Sequence, residues 1–521
     1  MTWLVPLIVL VPLIGAALTL TAARAARLQI FLAQATLVLA LVVSIGLLVA
    51  VNTSGEALVV QGGGWLAPCG SSRVVDQLSA MLVLGTSIGL LAVMAFSIGQ
   101  GAADGDDETP VSIFYPTYLV LAAGVYNAFI AGDLFNMFVG FEILLVSSFV
   151  LITLGGTTER IKAGVTYIVV SLVSSFIFLG SIALIYGAVG TVNFAEIAVR
   201  MAELPQDVQL MLHMPLLIAF AIKAALFPLS FWLPDSYPSA PAPVTAVFAG
   251  LLTKVGVYAI LRTETLLFWD NDISVLLMVI ALLTMVVGIL GAVAQAGIRR
   301  MLSFTLVSHI GYMIFGVALG TELGDAATVF YIVHHIIVQT ALFLVTGLIE
   351  RIAGSSSLTH LGGMLKRAPF VAVLFFIPML NLGGIPPFSG FIGKVGLFTA
   401  GAAEGSVLSY VLIGAGAVTS LLTLYALIRV WNLGFWRTQE QVVDFSSPMT
   451  ERISDTPESA VVTETKSSSR LMTIATTTMV AVSVAITVFA GPIYEWSETA
   501  AFDLVPAEYI SSVSNGEVLK P

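Results

Sequence analysis

The sequence contains very little cysteine and very little charge. Of its 521 residues, one is a cysteine, Cys69, and 10% are Asp, Glu, Lys or Arg. A single cysteine excludes an internal disulfide and a cysteine-based metal site, and we assign no role to Cys69 in its Gly-rich loop. The 21 basic residues, against 31 acidic ones, provide no positive face for nucleic acid. With 58% hydrophobic residues and a mean hydropathy of +1.00, the chain is predicted to be an all-α polytopic membrane protein in a lipid bilayer.

Long apolar runs divide the chain into about fourteen predicted membrane spans. A helix that crosses a bilayer needs about 20 apolar residues. The first run, from Thr2, has neither a positive flank nor a small-residue cleavage site, so we interpret it as a retained helix and not as a signal peptide. Spans 1 to 14 are predicted to start near residues 2, 28, 77, 114, 134, 161, 211, 244, 274, 300, 326, 369, 407 and 471.

The basic residues outside the predicted spans lie mainly on one side of the membrane. Fourteen Lys and Arg lie in the odd-numbered connections or at their helix ends, and four lie on the opposite side. By the positive-inside rule, the odd-numbered connections are cytoplasmic. We therefore expect a multi-pass protein of a bacterial-type cell membrane with both termini outside the cytoplasm.

Four charged side chains lie within predicted spans, where a charge costs roughly 2.5–3.5 kcal/mol to insert. Glu142 lies near the middle of span 5, and the lysines are Lys223, Lys254 and Lys394. A single lysine in a span most often reaches the headgroups with its ammonium group. Three lysines together with a buried glutamate instead favour a functional role.

Glu142 and Lys223 are predicted to pair, because a buried carboxylate is least costly beside a buried cation. Burial favours a neutral lysine and a nearby carboxylate favours a protonated one, so a change in their separation would make Lys223 bind or release a proton. Individually, each histidine further along is more often a hydrogen-bonded packing residue. In series between lysines, these groups are typical of a proton relay, which we predict to comprise Lys254, Tyr258, His309, His334, His335, Gln339 and Lys394.

Two predicted spans are broken by proline next to a lysine. Pro228 follows Lys223 in span 7, and Pro386 and Pro387 precede Lys394 in span 12. Breaks in corresponding positions of two halves are typical of inverted repeats with ion sites near the membrane midplane. We predict two inverted five-helix repeats, spans 4–8 and 9–13, from weak self-matches at similar separations along the chain, which pair Lys223 with Lys394, Arg262 with Arg429 and Tyr167 with Tyr331.

These features divide the chain into five predicted regions. Residues 1–113 hold spans 1–3, residues 114–266 the first repeat and residues 267–437 the second. Residues 438–470, which are rich in Ser, Thr and Glu, are predicted to form a flexible cytoplasmic loop, and residues 471–521 form span 14 and an external tail.

Several stretches resemble a known family. They are "GDLFNMFVGFEILLVSSFVLITLGG", "LPDSYPSAPAPVTAVFAGLLTKVGVYAILR", "SHIGYMIFG" and "GGIPPFSGFIGKVGLF". Together they resemble the proton-translocating antiporter-like subunits shared by respiratory complex I and the Mrp-type multisubunit sodium/proton antiporters. The "GDLFN" motif, the Ser236–Tyr237 pair and a lysine at position 394 are most similar to the D-type subunits of the Mrp antiporters.

The resemblance implies roles for single residues. Glu142 would be the carboxylate of span 5, Lys223 its partner on broken span 7, Lys254 the connecting lysine of span 8 and Lys394 the terminal lysine on broken span 12. It also implies a membrane complex of several different subunits that exchanges protons and Na+. One departure is Gln339, since many relatives have a lysine there, so the path between Lys254 and Lys394 must depend on the histidines or on water.

Three functions remain open from the sequence. The first is an ion-translocating subunit of a cation/proton antiporter, which is a secondary transporter and not an enzyme. The second is a proton-pumping subunit of a complex I or membrane hydrogenase type enzyme, although this chain contains no cofactor motif. The third is a single-chain solute transporter, which would be active alone and would tolerate changes of Glu142 and Lys223, as a merely structural subunit would.

Overall fold

The chain is almost entirely helical over residues 1–65, 70–101, 111–442 and 458–513, which a computed structural model describes. Within those residues the helices α1 to α21 are, in order, Leu4–Thr21, Ala26–Ser54, Gln77–Gln100, Val111–Phe129, Leu134–Thr153, Thr158–Val189, Phe194–Met201, Gln206–Ala224, Leu233–Ser236, Ala242–Val247, Thr253–Arg262, Ser274–Val293, Ile298–Ala318, Glu322–Ala353, Met364–Arg367, Pro369–Gly383, Ser389–Glu404, Val407–Val430, Glu458–Val488, Ala490–Phe502 and Pro506–Val513. Three π-helical segments extend them at Phe248–Leu252, Thr263–Leu267 and Trp431–Trp436.

The all-α polytopic architecture is confirmed. Among the described helices, twelve are long and apolar enough to cross a membrane, and Ile113–Phe129 and Pro369–Gly383 are shorter apolar helices. The first thirteen predicted spans begin within five residues of the start of an observed helix. The count of fourteen spans and the inverted repeats stay predictions.

Some of the connections differ from the prediction. An antiparallel hairpin of β1 (Leu58–Gln61) and β2 (Ser72–Val75) joins α2 to α3. Helix α19 begins at Glu458, within the loop predicted over residues 438–470, although its apolar span begins only at Arg470. Cys69 and residues 443–457 lie outside the described residues.

The most buried helices are those that carry the predicted relay. Every residue in the most apolar part of the span Ala242–Leu267 and of α14 is buried, as is 94% of that part of α13. Polar groups in a membrane protein are stable only when they face the bundle interior and find partners there. The fold therefore places Lys254, His309, His334 and His335 at the centre of the bundle.

The two predicted helix breaks have the same backbone geometry. Helix α8 ends at Ala225, which adopts a left-handed conformation (φ 59°), and α16 ends at the left-handed Gly384 (φ 76°). In both breaks the residue after the left-handed one donates its N–H to a carbonyl in the last turn of the preceding helix. Leu226 N–H donates to Ala221 O at 3.0 Å, and Ile385 N–H donates to Leu380 O at 3.1 Å.

The same register aligns the prolines of the two breaks but not the lysines. When Ala225 is aligned with Gly384, Pro228 falls on Pro387 and Lys223 falls on Leu382. Lys394 lies further along the chain, in α17. The predicted pairing of Lys223 with Lys394 is therefore not in register with the breaks.

Candidate functional site

Glu142 and Lys223 lie on neighbouring helices without forming an ion pair. Both side chains are partly buried. Of the ion pairs that the structure describes, none joins the two residues. Glu142 Oε1 has no hydrogen-bond partner within the described residues, and Lys223 Nζ donates to Ser171 O at 3.4 Å. The predicted ion pair is therefore absent from this arrangement.

The break after Lys223 holds that lysine at the end of a helix turn. Ala225 is the one non-glycine residue with a positive φ among the described residues, a conformation that L-residues rarely adopt. Strained backbone of this kind concentrates at functional sites, where the surrounding structure maintains it. Thr284 on α12 contributes by accepting the Phe227 N–H at 3.0 Å, which satisfies a backbone donor within the break.

A glycine allows α11 to approach this break closely. A Cβ added to Gly256 would lie 2.6 Å from Ala224 N and 3.0 Å from the carbonyl carbon of Lys223. Any larger residue would therefore force α8 and α11 apart, because backbone cannot move aside as a flexible side chain can. Gly256 brings the helix that carries Lys254 against the helix that carries Lys223.

Lys254 is completely buried, and its ammonium group is bound by the π-helical segment that precedes it. Its Nζ donates to the carbonyl oxygen of Ala249. Tyr258, one turn further on, does not bond Lys254. Its hydroxyl donates instead to Phe129 O at 2.9 Å and accepts from Arg262 Nε at 3.3 Å. The structure therefore joins Tyr258 to a different cluster from the one that we predicted.

The predicted histidines form one buried cluster between α13, α14 and α17. The Tyr331 hydroxyl lies 2.7 Å from His309 Nδ1, and the rings of His309 and His335 are 5.3 Å apart. His334 Nδ1 lies 3.0 Å from Ser389 Oγ. Within the described part of the chain, neither nitrogen of His335 has a hydrogen-bond partner. Unsatisfied imidazole nitrogens in a polar cluster mark positions where water or a proton can bind.

Gln339 lies at the edge of this cluster. Its side-chain amide donates to Leu302 O at 2.9 Å, whereas its Oε1 has no partner among the residues that the structure describes. The side chain is completely buried. An amide oriented in this way can hold a water molecule, but it cannot carry the charge that a lysine would carry.

Lys394 reaches back across the second break. Its Nζ donates to Leu382 O at 3.0 Å and to Ser420 Oγ at 2.9 Å, and it lies 5.2 Å from the centre of the Tyr312 ring. In the shared register of the two breaks, Leu382 is the counterpart of Lys223. The ammonium group of Lys394 therefore contacts the backbone of the residue that aligns with Lys223, and it does so from the helix that follows the break.

The structure contains a buried ion pair, Asp76–Arg262, which the sequence did not predict. Arg262 is 1% exposed and Asp76 is also 1% exposed, and Arg262 Nη2 lies 2.5 Å from Asp76 Oδ2. Ser79 Oγ accepts from the same guanidinium at 3.2 Å, and the Tyr258 and Tyr509 rings lie against it. In the sequence Arg262 follows an apolar run, which is the usual position of a basic residue at the end of a membrane span. Only the packing of α3 and the C-terminal segment reveals its burial.

The predicted site residues form a series of protonatable side chains inside the bundle. Buried protonatable groups extend from Lys223 through Lys254 and the histidine cluster to Lys394. No group of three or more His, Cys, Asp or Glu residues within the described residues is close enough to hold a metal ion. Buried, weakly satisfied ionisable groups in a membrane bundle are typical of ion pathways.

The fold and these buried groups define a class, the ion-translocating polytopic membrane subunits. The sequence model of the family described as "NADH:quinone oxidoreductase/Mrp antiporter, TM" matches residues 131–423. The chain belongs to this family.

Similar proteins agree on the branch of the family. The chain is 40% identical over 440 residues to the D-type subunit of the Na(+)/H(+) antiporter of Alkalihalophilus pseudofirmus, covering 84% of this chain and 88% of that protein. It is 36% identical over 436 residues to the protein of the same name in Bacillus subtilis, covering 83% and 87% of the two chains. The resemblance to the D-type subunits of the Mrp antiporters is thus confirmed.

Two solved structures share the fold over nearly the full length. A chain in the structure of the Mrp complex from Dietzia sp. DQ12-45-1b matches with a TM-score of 0.87 and 32% identity, covering 98% of this chain and 99% of that one. A chain of the membrane-bound sulfane sulfur reductase, an archaeal respiratory membrane complex, matches with a TM-score of 0.86 and 25% identity over the same shares. The fold alone therefore does not separate antiporters from respiratory complexes.

Proposed function

We propose that this chain is the proton-translocating subunit of a multisubunit antiporter that exchanges Na+ for protons, with both termini outside the cytoplasm. The observation that carries the proposal is the series of buried protonatable groups from Lys254 through the histidine cluster to Lys394. The names of the similar subunits support the choice of ions. In this role the chain acts as a secondary transporter and catalyses no covalent reaction.

Glu142 and Lys223 would act as the switch. In the observed arrangement the two form no ion pair, and Lys223 has a single long bond to a carbonyl. A movement of α5 towards α8 would bring the carboxylate to the ammonium group and hold the proton on Lys223. The reverse movement would favour its release toward Lys254, since a lysine without a counter-charge is costly in a low dielectric.

Water must complete the relay. The bonds described above join His309 to Tyr331 and His334 to Ser389, but none joins Lys223 to Lys254 or Lys254 to His335. The unsatisfied nitrogens of His335 and Oε1 of Gln339 are positioned to bind bridging waters. Lys394 would then exchange its proton at the broken helix, where its ammonium group donates to Leu382 O.

The switch is tested by Glu142→Gln, which removes the charge and keeps the shape. Exchange of Na+ for protons in membrane vesicles should fall by about 100-fold or more, the usual scale for the loss of a proton-transfer group. The control is Glu203→Gln, which removes an exposed carboxylate outside the spans and should leave exchange unchanged. Near wild-type exchange in Glu142→Gln, at normal subunit levels, would refute the switch.

A second candidate is a proton-pumping subunit of an electron-transfer complex. The match to the sulfane sulfur reductase complex at nearly the same TM-score supports it. Purification of the native complex separates the two functions. Co-purifying subunits that carry redox cofactors would identify a respiratory complex, and their absence together with vesicle exchange that needs no electron donor would identify an antiporter.

A further inference from the structure

An acidic cavity lies on the face of the bundle opposite to the basic connections, away from the relay described above. Its volume is about 540 Å³, and it lies between the π-helical segment after α11, the start of α14 and the C-terminal segment. Among the described residues that line it there is no Lys, Arg or His, and four carboxylates are present, Glu264, Asp272, Glu322 and Asp325. Glu264 is paired with His213, at 2.6 Å between Oε1 and Nε2. By the predicted topology this face is outside the cytoplasm.

The carboxylates differ in depth. Glu322 and Asp272 are exposed at the rim, and hydrogen bonds from Ser274 hold the pKa of Asp272 below its usual value, so the rim carries negative charge. Trp269, which is 52% exposed, lies on the same wall, as is typical of a membrane–water interface. Asp325 is only 7% exposed and forms part of the inner wall.

Asp325 lacks the partners that a buried carboxylate normally needs. Its Oδ1 has no hydrogen-bond partner, and no ion pair includes it, within the residues that the structure describes. The charge that acts on it from its own helix is the like charge of Glu322. The walls that α13 and the C-terminal segment contribute are apolar, with Val317, Ala318, Ala501 and Leu504. A carboxylate in such surroundings needs a proton or a cation from the cavity.

The helix that carries Asp325 leads directly to the histidine cluster. Asp325 lies in the first turn of α14, and steps of three or four residues from it reach Thr328, Tyr331 and His335. Tyr331 lies about 9 Å further along the helix by the helical rise, and its hydroxyl contacts His309. Asp is common in the first turn of a helix, where the helix dipole favours a negative charge. That preference does not explain why Asp325 Oδ1 has no hydrogen-bond partner among the described residues.

We propose that Asp325 is a proton-exchange residue that connects the external aqueous phase with the histidine cluster, a proposal that rests on the proposed antiport function. Its carboxylate accepts a proton from a hydronium ion in the cavity and releases water. The carboxylic acid then gives the proton to a water molecule on the side of Tyr331, which regenerates the carboxylate. A proton is favoured over a dehydrated metal ion, because no set of three metal-ligating side chains surrounds the site among the described residues.

The test compares Asp325→Asn, Asp325→Glu and Glu322→Gln in the intact complex. Asp325→Asn should lower vesicle exchange by about tenfold or more, and Asp325→Glu, which keeps a carboxyl group, should retain most of it. Glu322→Gln is the matched control, one turn earlier at the exposed rim, and should change exchange less than twofold. Normal exchange in Asp325→Asn, in vesicles where the wild type is active, would overturn the proposal while leaving the antiport function intact.

Infrared difference spectroscopy of the purified complex gives a readout that does not depend on transport. A pH change should produce a carboxylic acid C=O band that is absent in Asp325→Asn and present in Glu322→Gln. The same spectra are recorded with Na+ and with choline. A band that is lost on adding Na+ at constant pH would assign the site to the alkali cation and overturn the assignment to a proton, as would the persistence of the band in Asp325→Asn.

Discussion

At the scale of the residue, the environment of Lys394 decides what the end of the relay can do. Lys394 is 3% exposed, and its ammonium group is bound by one carbonyl and one hydroxyl, with no carboxylate partner in the described part of the chain. A lysine that reached the headgroups would be hydrated instead. This arrangement allows the lysine to lose its proton without breaking an ion pair.

Substitution of Lys394 distinguishes a relay group from an anchor. Lys394→Ala should abolish exchange in vesicles, whereas Lys394→Glu should retain part of it, because a buried carboxyl group can also accept and release a proton near neutral pH. The two variants are compared at matched subunit levels, with Lys366→Ala, in a connection on the basic side, as the control. Activity close to wild type in Lys394→Ala would remove Lys394 from the path.

At the scale of the element, the Asp76–Arg262 pair fastens α3 to α11. Removal of one partner leaves the other charge buried and uncompensated, which costs about 3–5 kcal/mol. Asp76→Asn should therefore lower the thermal stability of the solubilised complex clearly. The control is Asp235→Asn, which breaks the Arg300–Asp235 pair, where the side chains are 50% and 65% exposed, and which should cost about 0–1 kcal/mol. If the two variants lost the same stability, the charge of Arg262 would be balanced by a group other than Asp76.

The elements themselves could largely be predicted from the sequence. Apolar runs predict the spans, proline next to lysine predicts the two breaks, and an uncharged background makes Glu142 and the three lysines visible. The ion pair of Arg262 could not be predicted, because its partner Asp76 lies far earlier in the chain, next to the start of α3. Arg262 itself follows a run of apolar residues, as a basic residue at the end of a membrane span does. Asp325 was missed for the same reason, since only the fold brings the C-terminal segment and the end of α11 around it.

The two lysines beside the breaks show a limit of pattern matching. Their positions in the sequence suggest repeat partners, yet the backbone geometry of the breaks repeats in the register that aligns Ala225 with Gly384. Lys394 lies beyond the second break and reaches back to Leu382 O with its long side chain, so a lysine contacts this break although its sequence position does not match that of Lys223.

At the scale of the whole molecule, the C-terminal segment covers the Asp76–Arg262 pair at one end of the bundle. Asp503 accepts a hydrogen bond from Gln77 N–H at 3.1 Å, and burial together with the charge of Asp76 raises the pKa of Asp503 to about 6. A carboxyl group with a raised pKa in the folded state stabilises the fold at low pH, and this contribution is lost as the pH rises from about 4 to above 6.

The pH dependence of stability tests this closure. Asp503→Asn keeps an acceptor for Gln77 and removes the charge, so it should raise the thermal stability of the complex at pH 8 and leave it nearly unchanged at pH 4. Because Asp503 is only partly buried, the gain should be modest. A variant that is less stable than the wild type at pH 8 would contradict this expectation and would mean that the charged carboxylate stabilises the fold, as an ion-pair partner of Arg262 would.

The acidic cavity also has a consequence for transport kinetics. The two exposed carboxylates at its rim, Glu322 and Asp272, create a negative potential that attracts cations, and the reach of that potential is the Debye length, about 30 Å at 0.01 M and 3 Å at 1 M ionic strength. The concentration of ions at the mouth is then set by the total salt of the medium as well as by the ion that is exchanged. Apparent affinities measured at low ionic strength would therefore overstate how strongly the protein itself binds its substrates, and an inert salt would lower them without touching a single transport residue.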